Sequence, residues 1–459
     1  MALPKLTAAF SVTDNAAFFR KEMKLTMTKN ENRCVVTGLG LISAIGNNVE
    51  ECWENVKKGV SGIAEATVVD TTNCYAHLAA QVHDDTLEDL PDAQQMDRCV
   101  KLCIKASGEA LEDAGLTDLG NRTSAGVIMG SCVGGVSSVE HYYRNGRPAA
   151  NVPKIPIASI APAVAKVYHA GGIVTNIANA CAAGTISIAY ACDLIRAGKA
   201  DIVIAGGTDA LAQIPFAGFL SLHALSEAPC SPFNHCSGIT LGEGAGAIII
   251  ESYAHATQRK ARIYCEVLGA GISSDAYHIT APRPDGAGQM HAIRQSMKNS
   301  GITPAEVDYI NAHGTGTAKN DEAEFLSLHT IFDAENPNLS VSSTKSIVGH
   351  CLGAAGAVEA VFSIKALTEG VVPPTVGYTE EDLPHLGERA GQMDFCPNQA
   401  KQKPLNTVMS NSFAFGGNNA SILFSKKPGN VTLPEKQERI YLTGIGVVSP
   451  LGNHMDSLI

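Results

Sequence analysis

Residues 171–210 read "GGIVTNIANACAAGTISIAYACDLIRAGKADIVIAGGTDA". The apolar run Ile173–Ile177, with its β-branched residues, predicts a strand. From Gly184 the apolar residues recur at helical spacing, and Arg196-Ala197-Gly198-Lys199 predicts a helix end near Gly198. Asp201–Ala210 is again short, apolar and continuous, as in a strand covered on both faces. Cys181 sits at the turn between the first strand and the helix, among small residues. Unpaired N–H groups and the positive end of a helix dipole converge on such a turn, and both favour the thiolate that a nucleophilic cysteine needs.

The same alternation runs from Arg33 to about Lys426. Strand-like runs such as "RCVVTGLGLIS", "TSAGVIMGS", "GAGAIIIES", "ARIYCEVLGAG", "DYINAHGTG" and "LSVSSTKS" are separated in several places by helical patterns, "CVKLCIKASGEALEDAGL" among them. The class this predicts is α/β, with sheets covered by helices on both faces.

Composition restricts function. The chain has 459 residues, 45% of them hydrophobic, enough for one large core or two fused ones. Every apolar run is broken by Gly, Asp, Asn or Lys before the roughly 18–20 residues that a membrane span needs, so no membrane role is expected. A formal net charge of −11 argues against nucleic acid as a partner. The 13 cysteines show neither C-x-x-C pairs nor framework spacing, and they read as reduced, mostly buried thiols of a cytoplasmic protein.

Two further segments raise Cys181 above the other cysteines. "YINAHGTGTAKND" puts His313 directly after an apolar strand in a Gly/Thr turn. "VSSTKSIVGHCLGAAGAVEA" puts Lys345 and His350 between a strand and an Ala-rich helix. A cysteine and two glycine-flanked histidines, each at a strand end, are the parts of a thioester-processing site.

These segments, with "ALEDAGL", "SSDAYHIT" and "NSFAFGGNNAS", fall in the order and at about the spacing of an elongating, type II β-ketoacyl-acyl-carrier-protein synthase of the thiolase-like superfamily, and the chain resembles that family over some 390 residues. The resemblance implies a five-layered α-β-α-β-α fold of two similar halves, the second opening near "ARIYCEVLGAG". The first half, residues 31–260, would carry the nucleophile, and the second, residues 261–428, the histidines. It also implies an acyl carrier protein as partner, and a homodimer or a heterodimer with a second ketosynthase-like chain. The chemistry needs no metal or organic cofactor.

On this reading Cys181 takes the acyl chain. Neutral His313 and His350 each donate an Nε2–H to the enolate formed when a malonyl thioester loses carbon dioxide. Lys345 acts as an electrostatic organiser. The resemblance further implies that backbone N–H groups of Cys181 and Phe415 hold the second oxyanion, that Thr315 and Thr317 bind the pantetheine arm, that Phe415 gates the pocket beside Phe219, and that Glu359 orders the helix behind His350. A histidine pair favours elongation, since initiating relatives pair histidine with asparagine. A non-catalytic, chain-length-controlling homologue would lack Cys181, and a biosynthetic thiolase would carry a second cysteine where "SFAFGGNN" stands.

The pattern also has departures. Asn418 replaces the family's usual threonine, "LPDAQQ" precedes "MDR", and Ser231-Pro232-Phe233-Asn234 replaces a basic segment, so carrier-facing positive charge is expected at Arg144, Arg147 and Lys154 instead. Residues 1–30 read as an extension. Arg439–Asn453, "RIYLTGIGVVSPLGN", repeats Arg33–Asn47, "RCVVTGLGLISAIGN", so residues 429–459 read as a linker plus the start of a second ketosynthase-like repeat, expected to pack opportunistically or to mark a tandem partner.

Overall fold

The computed structural model describes residues 33–429 apart from 236 and 392, with scattered positions between 441 and 452. The expected N-terminal extension, nearly all of the linker before Arg439 and parts of the C-terminal repeat lie outside the described residues.

Ten strands form the main sheet: β1 (Cys34–Ser43), β2 (Ala125–Gly130), β3 (Val174–Ile177), β4 (Ile202–Asp209), β5 (Gly244–Ser252), β6 (Cys265–Ser274), β7 (Tyr309–Asn311), β8 (Ser340–Ser342), β9 (Thr407–Ala414) and β10 (Asn418–Ser425). Their order across the sheet is β8-β7-β9-β10-β6-β1-β5-β4-β2-β3. Each set of five is arranged alike, third-second-fourth-fifth-first in chain order. In both sets the first two pairings from the outer edge are parallel and the last two antiparallel. The sets meet where Val35 and Val36 of β1 pair with Glu266 and Cys265 of β6.

Helices cover each set on both sides. α1 (Arg98–Asp113) and α2 (Ile160–Val167) lie outside the first set, and α4 (Ala287–Ser300) and α5 (Ala318–Phe332) outside the second. α3 (Ala183–Arg196) and α6 (Ala355–Glu369) fill the space between, touching each other and strands of both sets. The result is the five-layered α-β-α-β-α arrangement. Between the two sets of strands, α6 buries nearly every residue from Ala355 to Leu367, whereas α3 leaves Tyr190 exposed. Close layering demands glycine: a Cβ on Gly40 of β1 would lie 1.8 Å from the Ala106 carbonyl oxygen of α1.

Where the repeated segment is described, Ser449 and Gly452 exchange two backbone hydrogen bonds, as Ser43 and Gly46 do at the end of β1. Tyr441 and Val448, which have apolar counterparts in β1, are exposed. No described helix is long and apolar enough to cross a membrane, and every described cysteine is free.

Candidate active site

β3 ends at Ile177 and α3 begins at Ala183, as the sequence predicts, with Gly198 (φ 65°) past the helix end. The turn between them is strained at Ala180, whose φ of 42° lies in the left-handed region and costs an alanine roughly 1–2 kcal/mol. Cys181 follows, 4% exposed. The Lys345 charge and the nearby backbone N–H groups of Phe415 and Cys181 favour the thiolate, while the Asp209 charge opposes it. Burial outweighs the three favourable groups and pushes the thiol up to about 11. The expectation of a thiolate poised by the helix dipole is therefore corrected: desolvation keeps the resting sulfur protonated.

His313 and His350 are brought together from two loops of the second half, with ring centroids 5.3 Å apart and planes at 85°. His313 stands just beyond β7. Its turn is pinned by α5, where Glu324 accepts the N–H groups of His313 (2.8 Å) and Gly314 (2.7 Å), and Asp321 accepts that of Thr315 (3.0 Å). His350 follows Gly349, whose φ of 66° reverses the chain. The Leu352 N–H donates to His350 Nδ1 at 3.1 Å, which makes that nitrogen an acceptor and leaves the proton on Nε2. Burial, then the Lys345 charge, hold both rings well below the ordinary value, so both are neutral.

A cavity of about 390 Å³ opens on Cys181, His313 and His350, and Thr315, Thr317, Phe219 and Phe415 also line it. Thr315 and Thr317 share a hydroxyl hydrogen bond of 2.9 Å. Phe219 and Phe415 stack at 5.4 Å between centroids. Lys345 and Glu359 lie behind the wall, 1% exposed, as a buried ion pair joining the segment before His350 to α6. Burial pushes Glu359 up to about 7 despite the nearby ammonium. Asn418 clasps the gate-side turn, its Nδ2 donating to the Phe415 carbonyl at 3.2 Å.

Four buried carboxylates at and around this site escaped the sequence reading: Asp275, which lines the cavity, and Asp321, Glu324 and Asp209 behind it. Asp321 and Glu324 carried a usable signal, one helical turn apart just after a Gly/Thr turn. Asp209, at the end of β4, carried none. The surface reading of residues 231–234 is also corrected. Phe233 is buried, packs edge-on against Phe395 at 5.0 Å between centroids and donates its N–H to Asp321 at 2.7 Å, so this segment braces the His313 turn. Arg144 and Arg147 are exposed, with Arg147 over the Tyr143 ring, whereas Lys154 is half-buried and donates to the Gln94 carbonyl.

Residues 31–256 match the family model "Beta-ketoacyl synthase, N-terminal domain", and residues 264–379 match "Beta-ketoacyl synthase, C-terminal domain". The chain belongs to the β-ketoacyl synthase family. As a ketosynthase it is an acyltransferase. It is 39% identical over 419 residues to the 3-oxoacyl-[acyl-carrier-protein] synthase 2 of Staphylococcus aureus (strain N315), covering 87% of this chain and 99% of that one. Among solved structures it is similar to the ishigamide ketosynthase/chain length factor, with a TM-score of 0.79 and 34% identity over 86% of this chain and 99% of that one. It is also similar to AntDE:AntF, a type II PKS acyl-carrier protein in complex with its ketosynthase bound to the hexaketide, with a TM-score of 0.77 and 30% identity over 86% and 99% of the two chains.

Proposed function

We propose that this synthase condenses a malonyl group, carried on an acyl carrier protein, with an acyl chain held on Cys181, extending a fatty-acid or type II polyketide chain. The observation that carries the reading is the convergence of Cys181, neutral His313 and neutral His350 on one cavity.

In the first step the Cys181 sulfur attacks the carrier thioester and the carrier thiol leaves with the proton that Cys181 gives up. In the second, the bond from the malonyl α-carbon to its carboxylate breaks and carbon dioxide departs, leaving its electron pair as an enolate. The Nε2–H groups of His313 and His350 hold the enolate oxygen. Such donors are worth most in a dry site where they need not reorganise. In the third, the carbanion attacks the Cys181 thioester, whose oxyanion is held by the N–H groups of Cys181 and Phe415. The C–S bond then breaks, and the sulfur leaves as a thiolate that takes a proton from solvent. Burial, reinforced by the Lys345 charge that Glu359 fixes, keeps both imidazoles neutral. Thr315 and Thr317 receive the pantetheine arm, and the Phe219–Phe415 stack gates the pocket.

The partners follow from the same reading. Exposed Arg144 and Arg147 suit an acidic carrier protein, since rim charges chiefly set encounter rate and partner choice. β3 is the outermost strand of the first set and all four of its residues are half-buried, with Ile173 and Tyr190 exposed nearby. An open edge of this kind favours pairing with a second ketosynthase-like chain, identical or not. The free buried cysteines support a reducing, cytoplasmic setting.

The test is mass spectrometry of the protein after incubation with acyl-carrier. One acyl adduct on Cys181, discharged as a 3-oxoacyl product when malonyl-carrier is added, is expected. Condensation that persists in Cys181→Ala would overturn the reading.

A further inference from the structure

Asp209 is a fully buried carboxylate at the end of β4, outside the cavity lining, and the catalytic cycle gives it no task. It gathers four donors. Oδ1 accepts the Ser131 hydroxyl (2.6 Å) and the Val133 N–H (3.1 Å). Oδ2 accepts the Cys132 N–H (2.8 Å) and the Gly353 N–H (2.6 Å). Three of these belong to the loop after β2, in the first half of the molecule. The fourth belongs to the short turn after His350, in the second half.

That turn is the one that orients His350. Leu352, the residue before Gly353, donates its N–H to His350 Nδ1. The approach is too close for a side chain, because a Cβ on Gly353 would lie 2.7 Å from Asp209 Oδ2 and 2.4 Å from the Cys132 nitrogen. All four hydrogen bonds bring a donor to Asp209, which suits an ionised carboxylate. A protonated acid would turn one hydroxyl hydrogen toward groups that have hydrogens of their own.

We propose that Asp209 is a positioning residue for decarboxylation, anchoring the turn that sets the orientation and tautomer of His350 against the half that carries Cys181. It acts through Gly353 and Leu352 and touches no substrate. The inference rests on the proposed function, and it predicts a selective defect. Malonyl decarboxylation depends on where the His350 Nε2–H points, whereas loading of Cys181 does not.

The experiment compares wild type with Asp209→Asn, Ser131→Ala and His350→Ala, measuring the rate of Cys181 loading by acyl-carrier, the kcat and KM for malonyl-carrier decarboxylation, and the unfolding midpoint. Asp209→Asn keeps the shape but puts an amide NH2 where two donors already point. A loss in decarboxylation kcat on the order of 10-fold to 100-fold is expected, as for a small misplacement of a catalytic group, with KM and loading within about 3-fold. Ser131→Ala removes one bond to Asp209 and spares the Gly353 anchor, so about 2-fold or less is expected. Loading and decarboxylation falling in parallel with the unfolding midpoint, or an unchanged decarboxylation kcat in Asp209→Asn, overturns the role. Wild type that neither loads nor decarboxylates, or His350→Ala that decarboxylates normally, would overturn the proposed function instead.

Discussion

At the scale of single residues, burial decides the chemistry. Cys181, His313 and His350 are legible in the sequence because each follows an apolar strand and sits among glycine or alanine. Their protonation states are not, because those depend on how much water the fold removes. His313→Ala or His350→Ala is expected to slow malonyl decarboxylation on the order of 10²-fold, as for loss of one preorganised oxyanion donor, while loading of Cys181 survives at least one change. Loss of loading together with loss of fold would mark the histidines as packing groups. The pH dependence follows from the sign of the shifts. Both folded values lie well below 6.5, so the rings stay neutral as pH falls through that value. The histidines are therefore expected to add no titration to the decarboxylation rate between about pH 8 and 6. A fall there is expected from the supporting carboxylates, since burial pushes Asp209 up to about 6 and Glu324 and Glu359 to about 7. A midpoint near about 6.5 that persists when each of these is replaced by its amide would contradict the buried, neutral pair.

At the scale of elements, the site is a set of turns held by carboxylates, and this layer was the least readable. Asp209 shows why: its partners Ser131 and Gly353 are 78 and 144 residues distant, and no local pattern marks a side chain whose purpose is to gather remote N–H groups. Phe233 misled for a related reason, since a Ser-Pro-Phe-Asn string has loop composition whether it lies on the surface or inserts into a core. Glu324 offers the sharpest test. Removing its carboxylate leaves the N–H groups of His313 and Gly314 buried without partners. Each such group costs about 1–3 kcal/mol. Glu324→Ala is therefore expected to lower unfolding free energy by roughly 2–6 kcal/mol in denaturant titration, with Glu324→Gln losing less because its amide oxygen still accepts. Equal stability in all three proteins would show that the turn stands without this brace.

At the scale of the whole molecule, α/β class, layering and pairing of similar halves were foreseeable from alternating strands and helices and from the resemblance. The identical strand order of the two sets became visible only in the folded chain, because short strands such as β7 and β8 carry too few residues to declare their neighbours. This repetition has a consequence for how activity is distributed. The nucleophile stands at the end of β3 in one set and both imidazoles stand beyond strands of the other, so each set alone holds half of a reaction. The strands of the two sets touch along a single short pairing, and the connecting stretch around Lys260, Arg262 and Ile263 is exposed. Severing the backbone between Lys260 and Ala261 is therefore expected to yield two polypeptides, each inert when made separately, that regain condensation when produced together, because their interface is the buried α3–α6 layer and not the covalent bond. Activity in either fragment alone, or co-produced fragments that never regain turnover, would show that the two halves are not the separable, mutually dependent partners that their matching architecture describes.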